Sequence, residues 1–156
     1  MMRVDYYDDS AAPKANTIVP AAWAIIPDAE GRILLQQRQE DDLWSLPGGA
    51  MELGESITQT LQREVKEETG LDVVPEYLVG VYSDPRHVIA FDHGEVRQQF
   101  SLCFACRIVG GSLQLSPESH DLRFFSPSEL SHLPMHRSSL LRIEDYQRYD
   151  GRPVIR

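Results

Sequence analysis

A mixed α/β (α+β) sandwich, with helices covering a mixed β-sheet, is the fold class this 156-residue sequence predicts. Three observations point there. Strand-like and helix-like segments follow one another in mixed order with turn chemistry between them. One helix, residues 56 to 69, is signalled at both ends. A hydrophobic share of 42% with 25% charged residues fits a soluble globular chain. The length suits one domain and one sizeable core rather than two.

In chain order, residues 1 to 16 are polar and acidic with Pro13, and are expected to form a tail or loosely docked arm. A single domain is then expected over 17–156. Residues 18–26 and 32–38 are apolar strands separated by Asp28-Ala29-Glu30-Gly31, which predicts a hairpin. The segment 44–52 carries Pro47-Gly48-Gly49 and reads as an extended strand bent sharply before a helix. In the helix, Ser56 can cap the start with Gln59 three residues on, and Gly70 suits a left-handed end. Strands are expected at 73–82 and 97–109, with Gly110-Gly111 turning into 112–115, and another at 122–125; the stretch 82–95 reads as a variable loop. Ser126-Pro127-Ser128-Glu129 is a second capping box, and Leu140, Leu141, Ile143 and Tyr146 mark a last amphipathic helix.

A formal charge of −9 argues against broad binding to nucleic acid, which needs many cationic contacts to phosphate. It leaves room for a small anionic ligand held by metal ions. No apolar run approaches the roughly 20 residues that span a bilayer, so no membrane association is expected. The first 15 residues lack the apolar core of a secretory signal, and a cytoplasmic location is the expectation. Cys103 and Cys106 form a CxxC, but residues 99–108 alternate as on a strand, where side chains three apart point to opposite faces. Two packed thiols are therefore expected rather than a metal or redox pair.

The most informative stretch is GAMELGESITQTLQREVKEETGL, residues 49–71. Its seven fixed positions would coincide by chance below about 10⁻⁸ per window. On a helical projection Ile57, Leu61 and Val65 form the buried stripe, with Gln59, Gln62 and Lys66 roughly opposite. Thr60, Glu64, Glu67 and Glu68 fall in an arc overlapping the edge of that stripe, so the carboxylates should face a cleft beside the core. Like charges at i, i+3 and i+4 repel. A divalent cation offsets that repulsion, and oxygen-only ligands suit Mg²⁺ or Mn²⁺.

These residues resemble the signature of the Nudix hydrolases at Gly49, Glu55, Arg63, Glu64, Val65, Glu67, Glu68, Gly70 and Leu71. Trp44-Ser45-Leu46-Pro47-Gly48-Gly49 is similar to that family's lead-in. The resemblance implies an α/β/α sandwich with a mixed sheet and a pyrophosphohydrolase that cleaves the diphosphate linkage of a nucleoside diphosphate derivative. It implies Glu64, Glu67 and Glu68 as metal ligands, with the Gly48 carbonyl adding a backbone ligand, and Arg63 orienting the glutamates with Glu55 as its partner. The general base is either Glu64, inside the box, or Glu118, outside it, with Glu52 and Glu95 as further candidates. By position, Arg38, Trp44, Tyr82, Arg86 and Phe91 are candidates to hold substrate. Trp44 and Tyr82 equally suit core packing, and Arg38 and Arg86 a solvated surface.

ADP-ribose or a nucleoside diphosphate sugar is the first expectation for substrate, and a modified nucleoside triphosphate the second. The alternative is a non-catalytic Nudix module that binds a nucleotide as a regulatory ligand, although this chain keeps every glutamate such a module could lose. A homodimer is an expectation from the family alone.

Overall fold

The computed structural model describes residues 3–156. Its strands are β1 (Arg3–Tyr7), β2 (Thr17–Ile25), β3 (Ile33–Arg38), β4 (Trp44–Ser45), β5 (Gly48–Ala50), β6 (Leu71–Tyr82), β7 (His87–Phe91), β8 (Val96–Gly111), β9 (Ser119–Phe125) and β10 (Val154–Ile155). The helices are α1 (Ile57–Thr69), α2 (Pro127–Leu130) and α3 (Arg137–Gln147).

The long strand β8 organises the larger sheet. One edge runs parallel to β2, while the other pairs antiparallel with β7 near its start and with β6 along the rest. β1 extends the sheet beyond β7, β5 beyond β2, and β10 joins β6 in parallel, so the sheet is mixed. Pro75, which cannot donate to a ladder, sits in β6 where the register shifts. β4, β3 and β9 form a second, antiparallel sheet.

Two apolar clusters divide the interior, as strand alternation requires. Ala22, Ala24 and Ile26 pack with Leu61 and Val65 of α1, Leu34 and Cys106. Ile25 lies in the other cluster with Leu35, Trp44, Cys103, Phe125, Leu130 of α2 and Ile143 of α3. Helices thus cover both sides, giving an α/β/α arrangement. Cys103 and Cys106 are free, buried and in different clusters. Among the described residues, no helix is long and apolar enough to cross a membrane.

Several expectations change. β2 and β3 do not form a hairpin: β2 has β8 and β5 on its two edges, so β3 departs into the other sheet after a bridge between Pro27 and Ile33. The Asp28 turn itself is built as expected, its carboxylate accepting from the Glu30 and Arg32 backbone N–H groups at 3.0 and 2.8 Å. Residues 3–7 are an edge strand rather than a loose arm, and the expected loop after Tyr82 contains β7. Residues 112–115 form no strand; Gln114 N–H instead donates to the Thr69 carbonyl at the end of α1. In α3, Leu140 and Leu141 stay over a third exposed while Ser139, Arg142 and Asp145 are buried. Those polar groups find partners: Ser139 Oγ accepts from Leu46 N–H, and Asp145 accepts from Tyr82 and Arg156.

Candidate active site

Helix α1 carries the box carboxylates, and its ends fix their position. Ser56 Oγ accepts from Gln59 N–H while the Gln59 side chain accepts from Ser56 N–H, and Gly70 closes the helix at φ 78°. Burial of Leu61 and Val65 then sets the rotation of the helix, turning Glu64 and Glu68 toward β5. At Gly49 a Cβ would lie 2.5 Å from the Glu64 carboxyl carbon, so any larger residue would force that side chain to shift. Glu68 accepts from Gly48 N–H at 3.2 Å and from the side-chain amide of Gln36 on β3.

Arg63 ties the box together. Its Nε and Nη2 donate to the two oxygens of Glu55 at 2.6 and 3.0 Å, its Nη1 donates to Glu64 at 2.9 Å, and Nη2 also donates to the Ala50 carbonyl. Glu55 is further held by Thr60 Oγ1 and Glu52 N–H. The hydrogen bond from Arg63 pulls the Glu55 carboxyl down to about 2. Glu55 is thus a fixed anion that orients Arg63.

Glu64 and Glu68 behave oppositely. Burial raises both, Glu68 well above the usual carboxylate range; at Glu64, Arg63 opposes the rise, and at Glu68 the neighbouring Glu64 adds to it. Two carboxylates withdrawn from water beside each other favour a cation between them or a proton on one. An oxygen-only set of Glu64, Glu68 and nearby backbone fits a hard divalent ion such as Mg²⁺ or Mn²⁺. Glu67 is placed differently: its side chain is exposed and meets Arg63 Nη1 at 3.4 Å. Among the described residues no three His, Cys, Asp or Glu side chains form a preassembled metal cluster.

The carboxylates open on a cavity of about 210 Å³. Gly48, Gly49, Glu64 and Glu68 form one side, and Arg3, Arg38 and Arg97 also line it, with Trp23, Gln99 and Glu118. Of the sequence candidates, Arg38 and Glu118 therefore share the cleft with the box. Phe91 borders an adjoining space with them and carries the Arg97 guanidinium 4.4 Å above its ring. Glu52 lies near Arg63 at 3.8 Å with its side chain largely exposed, and Glu95 is paired with Arg97.

Three candidates lie elsewhere. Trp44 is 4% exposed and packs edge-on against Phe125, because β4 places it between the sheets. Tyr82 is core, its hydroxyl donating to Asp145 at 2.9 Å. Arg86 is bound to Asp84 and borders a separate groove of about 370 Å³ that contains none of the box carboxylates.

The sequence reading missed Arg3, Trp23, Arg97, Gln99 and Arg142. For Arg97, Gln99 and Ser101 a signal existed, since they share one face of β8. Arg3 gave none, as it reaches the cleft only through the pairing of β1 with β7.

The family model described as the NUDIX domain matches residues 17–145. The chain is 32% identical over 127 residues to an ADP-ribose pyrophosphatase of Methanocaldococcus jannaschii, covering 80% of this chain and 70% of that protein. It is 32% identical over 123 residues to a MutT-like protein of Streptomyces ambofaciens, covering 79% and 72%. Among solved structures, an ADP-ribose pyrophosphatase from Streptococcus suis superposes with a TM-score of 0.65 at 28% identity, covering 89% of this chain and 98% of that one.

Proposed function

This chain belongs to the Nudix hydrolase family, and from that premise we propose that it cleaves the diphosphate linkage of a nucleoside diphosphate derivative with a divalent cation, Mg²⁺ or Mn²⁺. One observation carries the reading. Two carboxylates withdrawn from water share a cavity with four arginines, Arg3, Arg38, Arg97 and Arg142. An acidic protein is thereby given a local site in which cation and phosphate meet.

Glu64 and Glu68 are the principal cation ligands in this reading, with Glu67 as the third carboxylate of the box and Gly48 at the adjoining backbone. The cation supplies charge neutralisation at phosphate and a water of lowered pKa. Arg63 and Glu55 hold Glu64 in place, an outer shell that fixes the direction of its carboxylate. Arg3, Arg38 and Arg97 bind the diphosphate oxygens and stabilise charge that develops as the bridging bond breaks. Glu118 lines the same cavity as Glu68 and Arg38 and in this reading takes a proton from the attacking water, with Glu64 the competing base.

ADP-ribose and nucleoside diphosphate sugars head the substrate panel, supported by the similarity to ADP-ribose pyrophosphatases, and a modified nucleoside triphosphate comes next. The panel is assayed with Mg²⁺ and with Mn²⁺, and products are identified by mass spectrometry for the native chain and Glu68→Gln. Cleavage between the two phosphorus atoms, lost in the variant, is the expected result. Absence of turnover across the panel, or full activity of Glu68→Gln, would overturn it.

A further inference from the structure

Arg142 has a place in this cavity that the phosphate-binding arginines do not share. It is 2% exposed, at the middle of α3, and it lines both the carboxylate cavity and the neighbouring groove. Among the described residues no carboxylate comes within ion-pair distance of it, and its Nε is buried without a hydrogen-bond partner. Its Nη2 donates to Gln99 Oε1 and to Ser101 Oγ, both at 2.8 Å. Trp23 and Tyr82 lie with ring centroids 5.3 and 4.9 Å from the guanidinium carbon.

Such an arrangement is costly without a partner, since a buried cation needs an acceptor or a counter-ion. Gln99 and Ser101 accept from Nη2 and two rings face the guanidinium, but no described carboxylate neutralises the charge and Nε stays unpaired. Gln99 has its oxygen turned to Arg142, so the amide presents N–H to the cavity. The wall therefore offers donors, held rigid by strand β8 and by two aromatic rings. A planar group with carbonyl and imine acceptors on one edge matches it, as the O6 and N7 edge of guanine matches a guanidinium fork. An exocyclic amine at the same position sets donor against donor and leaves buried groups unpaired.

Building on the family reading, we propose that Arg142, oriented by Gln99, reads the nucleobase and selects a 6-keto purine over its 6-amino counterpart. Within the nucleoside diphosphate derivatives, this favours guanine or hypoxanthine over adenine, and so ranks a guanine nucleoside diphosphate sugar above ADP-ribose in the panel. Discrimination of at least about tenfold is expected, because a site built from donors rejects the analogue that cannot accept.

Matched monophosphates test it by calorimetry in magnesium buffer: IMP against AMP, which differ by a keto or amino group beside N7. They carry no diphosphate bond, so the outcome does not depend on hydrolysis. In the native chain IMP binds at least about tenfold tighter than AMP. Arg142→Met removes the preference. Gln99→Glu removes it as well, by giving Arg142 an internal carboxylate, and it folds with an undiminished thermal midpoint. This second variant decides the matter where Arg142→Met does not fold. Equal affinities for IMP and AMP, a preference for AMP, a preference that survives in the folded variants, or no nucleotide binding up to millimolar concentration would each overturn the proposal.

Discussion

Arg63 grips Glu55 through two nitrogens, at 2.6 and 3.0 Å, although the residues are eight apart and Glu55 precedes the helix. The clamp closes the loop before α1 onto the helix and leaves Nη1 free for Glu64. It thus transmits the position of the loop to a carboxylate in the cavity.

Arg63→Gln is expected to lower kcat by about 10- to 100-fold through misplacement of Glu64, with a smaller change in KM. The same change has a pH signature. Glu55 is held at about 2 against an ordinary 4.5, so its contribution to stability is fully present above about 4.5 and fades as pH falls toward about 2. Thermal midpoints of the native chain and Arg63→Gln should therefore stay a constant distance apart above that window and converge within it. A gap that widens on acidification contradicts the assignment.

Glu68→Gln should behave in the opposite sense. Burial raises the Glu68 carboxyl well above the usual range, so the neutral side chain is the one the fold prefers, and its charge costs stability as pH rises. In a chelator at neutral pH the amide variant is expected to melt at or above the native midpoint. Added Mg²⁺ should raise the native midpoint in proportion to its binding and leave the variant nearly unmoved. A variant that melts lower in chelator removes burial as the cause.

Gly49→Ala tests steric access. A Cβ there would lie 2.5 Å from the Glu64 carboxyl carbon and 2.6 Å from one of its oxygens, so Glu64 must shift. A displacement of about 1 Å at a reacting centre costs on the order of 10²-fold in rate. The expected result is that loss in kcat with circular dichroism unchanged. A variant of native activity would show that the Glu64 position is not critical.

The thiols give a prediction independent of catalysis. Burial pushes the Cys103 thiol up to about 12 and Cys106 higher still. Neither should react with a thiol reagent in the native protein, and both should react once it is unfolded in denaturant. Rapid native reaction of either cysteine would contradict the two-cluster packing.

Residues 49–71 were legible because their constraints are local: a cap, a left-handed end and a helical period settle where Glu64 and Glu68 point. The α/β/α layering was legible as well. What escaped depends on pairing between distant segments. Nothing near Ile18 or Arg32 says that β8 and β5 occupy both edges of β2, so a short turn between apolar runs reads as a hairpin. Trp44 and Arg86 lie at suitable points along the chain, but burial between sheets and an ion pair with Asp84 take them elsewhere. Arg142 was concealed by α3, whose polar residues face inward and defeat a reading based on hydrophobic period.

Strand β1 lies outside the span matched by the family, yet Arg3 reaches the cavity from it and Asp5 accepts hydrogen bonds from Arg3 and Tyr7 and pairs with His87 at 3.3 Å. Burial raises the Asp5 carboxyl, but His87 and Arg3 together hold it well below the usual range. An added ribbon at the rim of a sheet is easily exchanged, since it interrupts neither apolar cluster. If Arg3 grips phosphate as proposed, substitutions in this ribbon would change that grip while α1 keeps its place on the apolar cluster beneath it.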